Sequence, residues 1–200
     1  MYGLPLSTER KRQLPKKAIY VKFDLKPAQR DSFDADVTRI DIVAVISPAT
    51  IPALGEGTEV KEFYVLDVQM KRREYNAKNI LLLTRLIDQH MVFALRYEEK
   101  VQFAIFHSKL FTTAWQPAEQ ATLSLSGLNL DAVWENIVKE IGQIEVTDGH
   151  TLAEQIADDE QRAKLLTQIA ILERKMTNEK QPRRKREYFE QIKNLKEQVL

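Results

Sequence analysis

Apolar positions along the chain follow two regimes. Up to about residue 145 they come in short groups whose spacing switches between two and three-to-four; beyond Thr151 one helical spacing runs to the end. In the first regime Val60 to Met70 reads as a strand, with faces Phe63/Val65/Asp67/Gln69 and Tyr64/Leu66/Val68/Met70. Ile80, Leu83, Leu86 and Ile87 predict a helix from about Asn76 to Ile87. Met91–Tyr97 and Val101–His107, joined by Glu98-Glu99-Lys100, predict a β-hairpin. Ala121, Leu123 and Leu125 alternate with Thr122, Ser124 and Ser126 as in a half-buried strand. Asn129 is placed to cap a helix carrying Val133, Trp134, Ile137, Val138 and Ile141, with Gly142 to end it.

The N-terminal part reads less cleanly. Ser7 is a cap for a short helix that stops before Pro15, and Ile19, Val21 and Phe23 alternate with polar residues as in a strand. Pro27 suits the first turn of a helix, where its missing N–H has no partner to lose. Phe33, Val37, Ile40 and Ala44 then step by four, three and four along one helical stripe. Residues 40–46 are rich in β-branched side chains and suit a strand too; the helix is preferred because the spacing holds through Ala44.

In the second regime Thr151 and Glu154 form a capping box. Leu165, Ile169, Leu172 and Met176 repeat the steps of Tyr188, Ile192, Leu195 and Val199, and Asn178 to Pro182 interrupts them. The expected architecture is α+β or α/β: a mixed sheet of about five strands with packed helices over 1–145, then an antiparallel helical hairpin over 151–200.

Composition narrows the function classes. A hydrophobic fraction of 44% and a charged fraction of 30% describe a folded chain, and a net charge of +1 leaves no whole-chain field for a polyanion. The chain has no cysteine, which removes disulfides, thiolate metal sites and thiol nucleophiles. The runs Ile42–Ile46 and Met91–Leu95 are too short to span a bilayer, and Met1 to Tyr20 lacks the apolar core of a signal peptide. The expectation is a cytoplasmic protein without membrane contact, cofactor or bound metal.

Charge is concentrated locally. Residues 1–26 carry an excess of about five positive charges, through Arg10, Lys11, Arg12, Lys16, Lys17, Lys22 and Lys26. Arg174, Lys175, Lys180, Arg183, Arg184, Lys185 and Arg186 gather at the link between the two C-terminal helices, with Lys71, Arg72 and Arg73 as a second cluster. Phosphate neutralisation needs such concentration, so Arg183, Arg184, Lys185, Arg186, Lys71, Arg72 and Arg73 are the nucleic-acid candidates. Leu166, Ile171 and Phe189 lie off the hairpin seam and are candidate partner contacts.

Catalytic chemistry has thinner support. Asp67, Gln69 and Lys71 share one strand face, the arrangement by which nucleases of the restriction-endonuclease-like fold hold Mg²⁺ and place a lysine beside it. Gln69 stands where such a site needs a carboxylate, which weakens a magnesium site. His90, His107 and His150 read as surface or strand-end residues, and Gly55-Glu56-Gly57 lacks the rest of a phosphate loop. Trp134 reads as a core anchor and Trp115 as a partly exposed one.

Several segments together resemble a bacterial family, domain of unknown function 4391. They are Gly3-Leu4-Pro5-Leu6-Ser7-Thr8, Pro15-Lys16-Lys17-Ala18-Ile19-Tyr20, the stripe Phe33/Val37/Ile40 leading to Ser47-Pro48-Ala49-Thr50-Ile51, and the hairpin pair Val92-Phe93-Ala94-Leu95 with Ala104-Ile105-Phe106-His107. Such proteins tend to be encoded beside helicases and DNA methyltransferases in restriction-like or phage-defence clusters. The resemblance implies a non-catalytic accessory or adaptor subunit that docks a helicase or methyltransferase and contacts nucleic acid. The alternatives are a Mg-dependent nuclease using Asp67 and Lys71, and an interaction scaffold without nucleic acid.

Overall fold

The computed structural model describes residues 1–199, which fall into two compact units, Met1–Ile144 and 145–199. A mixed sheet of seven strands organises the first: β1 (Glu9–Gln13), β2 (Val37–Ile46), β3 (Phe63–Met70), β4 (His90–Tyr97), β5 (Lys100–His107), β6 (Lys109–Thr112) and β7 (Gln116–Pro117). The order is β1-β2-β3-β4-β5-β6, with β7 also on β5. All pairings are antiparallel except β3–β4, whose crossover carries α3 (Ala77–Leu83). A parallel pair needs such a crossover and is stable when both its faces are covered.

Both faces of the central strands are covered. On one, α1 (Lys16–Lys22), α2 (Pro27–Asp36) and α3 bring Ile19, Phe33, Ile80 and Leu83 onto Ile40, Leu66, Val68, Phe93 and Leu95. On the other, α4 (Leu130–Gly142) packs on β5 and β6, with the Trp134 and Phe63 rings 5.5 Å apart. The Tyr2 ring meets Phe103 edge-on at 5.5 Å on this second face. Asn129 caps α4 by accepting from the Ala132 N–H, as its position predicts, while the left-handed residue that ends the helix is Gln143 rather than Gly142.

The N-terminal part departs from the sequence reading. A single 3₁₀ turn, Leu6–Thr8, leads into β1, where a Ser7-capped helix was expected. The stretch read as a strand on Ile19, Val21 and Phe23 is α1: Ile19 is buried, Tyr20 and Phe23 pack beside it, and Val21 is 74% exposed, which is a helical period. The stripe Phe33/Val37/Ile40/Ala44 is buried throughout, but its helix ends at Asp36. From Ile40 every second residue is buried to Ile46, and β-branched side chains decide for the strand. Ala121 and Leu123 are buried on an extended segment outside the sheet, whose Leu123 N–H donates to the Tyr2 carbonyl. The helix expected to Ile87 closes at Leu83 and continues as turns.

Two carboxylates tie these elements together. Asp36, at the end of α2, is fully buried; Oδ1 accepts from Arg72 Nε and Oδ2 from the Asn76 N–H and Asn79 Nδ2, all between 2.5 and 2.8 Å. Its carbonyl accepts from the Lys71 N–H. Asp131, in the first turn of α4, accepts from the backbone N–H groups of Thr58, Glu59 and Val60, and those donors hold its carboxyl below the usual carboxylate range. Gly57 permits that approach, because a Cβ there would lie 2.4 Å from both Asp131 Oδ1 and the Val60 carbonyl.

In the second unit α5 (Leu152–Asn178) opens on the Thr151/Glu154 capping box and packs on α6 (Pro182–Val199). Ile169 and Ile192 are buried, and the other positions of both predicted seams are half-buried. Lys196 Nζ reaches Glu173 across the pair at 2.9 Å.

Replacing Asp36 by Ala removes the acceptor shared by Arg72, Asn76 and Asn79, the last of them buried, and cuts the link between α2 and the β3–α3 turn. We expect the first unit to lose about 3 kcal/mol of stability in denaturant titration; a loss below about 0.5 kcal/mol, the usual range for surface substitutions, would show that the clasp is incidental.

Candidate functional site

The residues singled out for catalysis do not act together. Asp67 lies on the second face of β3, 2% exposed. A lone acid buried this deeply needs a partner, and the fold provides two. Arg96 on β4, register partner of Gln69, binds it through Nη2 at 2.9 Å and Nε at 3.1 Å. The Tyr2 hydroxyl donates to Oδ2 at 2.5 Å; burial first, and the Asp67 charge second, push that phenol upward and keep it a proton donor. Gln69 is exposed on the same face, while Lys71 lies past the strand end, its N–H bound to the Asp36 carbonyl. Sequence spacing missed Tyr2 and Arg96. The available signal was the acid itself, which required a cation from a neighbouring strand. Among the described residues no three of His, Cys, Asp and Glu form a metal-holding group.

Of the basic cluster Lys71-Arg72-Arg73, Arg72 is committed to Asp36, and Lys71 and Arg73 are exposed. His90 opens β4 against Trp134, ring centroids 4.6 Å apart; burial, then the neighbouring His107, hold its pKa below the usual histidine value. The buried Trp134 Nε1 has no hydrogen-bond partner. His150 pairs with Asp158 at 3.5 Å.

The tip of the second unit concentrates positive charge. Arg183, Arg184, Lys185 and Arg186 are exposed in succession at the start of α6, whose first turn holds no acid. Arg183 meets Glu187 one turn on at 3.5 Å. Glu179, in the link, accepts from the Lys180 and Gln181 N–H groups, which lower its pKa. Cations at a helix N-terminus oppose the helix dipole, so helix stability does not explain this run. Between the helices lies a groove of about 450 Å³, lined by Ile171, Leu172, Gln191 and Leu195 among others. Ile171 is 50% exposed there; Leu166 and Phe189, as exposed, lie outside the groove.

The Asp67–Arg96 pair yields a direct test. Arg96→Met should cost about 3 kcal/mol, because a buried carboxylate loses its counter-charge. Adding Asp67→Leu should recover part of that loss in a double-mutant cycle, whereas additive losses would deny the coupling.

No curated protein and no solved structure matches the chain. A family model does: Domain of unknown function (DUF4391) matches residues 2–199, essentially the whole length, and the chain belongs to that family.

Proposed function

We propose that this chain is a non-catalytic accessory subunit of a DNA-processing complex, of the restriction-like or phage-defence kind. It docks a larger helicase or methyltransferase through the C-terminal hairpin and meets nucleic acid with the hairpin tip. The observation that carries the reading is the run Arg183-Arg184-Lys185-Arg186 at the opening of α6. Its charge works against the helix that bears it, and such charge is usefully placed against an outside anion. The exposed Leu166, Ile171 and Phe189 supply apolar surface on the same two helices for a protein partner.

The nuclease alternative asks Asp67 to hold a cation, and its carboxylate is already engaged by Arg96 and Tyr2. The scaffold alternative leaves the basic run without a role.

The experiment compares the full chain with Arg183→Ala/Arg184→Ala/Lys185→Ala/Arg186→Ala for binding to duplex DNA over a salt series. The variant should bind more weakly, and the slope of log K against log salt should flatten by about one for each phosphate that the variant no longer neutralises. Equal affinity and slope would remove the tip from nucleic-acid binding. Mg²⁺-dependent cleavage abolished by Asp67→Ala would replace the accessory reading with the nuclease.

A further inference from the structure

The basic N-terminal segment has no role in that reading. Its centre, Arg10-Lys11-Arg12, lies on β1, the outermost strand beside β2. The β1–β2 ladder is irregular: Glu9 pairs with Ala44 and Arg12 with Ile42, so Arg10 and Lys11 together stand across from Val43. Two residues opposing one is a β-bulge, which re-aims side chains that strict alternation would send to opposite faces. Arg10 and Lys11 both line the same cleft, of about 290 Å³, on the open part of the second sheet face.

Arg39 and Arg96 line it too. Each is fixed by a two-point carboxylate fork: Arg39 by Asp41 at 2.6 and 2.8 Å, Arg96 by Asp67. A fork consumes two of a guanidinium's five N–H donors and leaves Nη1 unused. The two carboxylates stand opposite each other in the β2–β3 register, which sets the arginines close together. The cleft therefore presents four side-chain cations against two carboxylates, with two of the cations hydrogen-bonded to those carboxylates. Solvated surface charge accounts for Arg10 and Lys11 taken singly. It does not account for a bulge that turns both to the face where two clamped arginines already sit.

We infer that this cleft is a binding site for a phosphate group, with Arg39 and Arg96, each forked to a carboxylate, and Arg10 and Lys11 as its donors. Planar guanidinium forks match phosphate oxygens, and the volume, at the small end for ligand sites, suits a small anionic group. The site is in the first unit and does not rest on the hairpin reading.

Two probes distinguish a free phosphate compound from a polynucleotide backbone: inorganic pyrophosphate, and a single-stranded oligodeoxynucleotide. Both are titrated calorimetrically into the full chain, into Arg10→Ala/Lys11→Ala, and into the four-alanine hairpin variant. Binding of at least one probe should weaken on the order of tenfold in Arg10→Ala/Lys11→Ala and persist in Arg10→Lys/Lys11→Arg. Arg39→Gln should weaken the same probe with the fold intact, Arg39 being exposed. Pyrophosphate alone responding identifies a free phosphate ligand. The oligonucleotide responding, measured in the hairpin variant to remove any contribution from the tip, identifies a backbone phosphate. Should neither probe bind the full chain, or both bind Arg10→Ala/Lys11→Ala unchanged, the site is overturned. Loss of binding confined to the hairpin variant overturns it equally and leaves the proposed function standing.

Discussion

The buried carboxylate of Asp36 joins the end of α2 to a segment 36 to 43 residues further on, the turn that leaves β3 and the start of α3. A parallel pair is closed by its crossover, so the point where the chain leaves β3 and enters α3 governs how β4 returns. The return sets Gln69 opposite Arg96, and that register brings Arg96 within reach of Asp67. A second desolvated acid, on β3 itself, is placed by that register beside its own arginine. Each has its negative charge met by an arginine, as an acid without water must.

Much of the fold was legible in the sequence where a single periodicity dominated. The strand ending at Met70, the hairpin through Glu98 and Glu99, the Asn129 cap and the matched seams of α5 and α6 all rest on local rules. The N-terminal part was misread where two periods coincide. Phe33, Val37, Ile40 and Ala44 satisfy a helical step, and Ile40, Ile42, Ala44 and Ile46 satisfy a strand step, over the same residues. Strands β6 and β7 escaped notice because they are short and owe their form to the edge of β5. The polar cleft was legible only in part. Asp67 announced itself as an acid on an apolar strand, but Arg96 comes beside it through strand register and Tyr2 from the N-terminal turn, neither of which spacing along the chain encodes.

The two basic regions hold their charge differently. In the cleft, paired carboxylates restrain Arg39 and Arg96, so geometry is set before any ligand arrives. At the hairpin tip four long side chains stand exposed on a helix start, where salt screens them. The first arrangement favours shape-selective recognition of one small group; the second favours fast, long-range attraction of an extended anion.

The bulge in β1 bears also on what happens when many copies crowd together. A flat outer strand offers a row of unpaired backbone groups, a template on which another chain can polymerise. β1 is five residues long, broken in register after Glu9, and it carries three cations in a row, Arg10 to Arg12. An incoming strand would meet a kinked template and a like-charged copy of itself. The irregularity that opens a cleft on the face of the sheet therefore also guards its rim against fibrous growth.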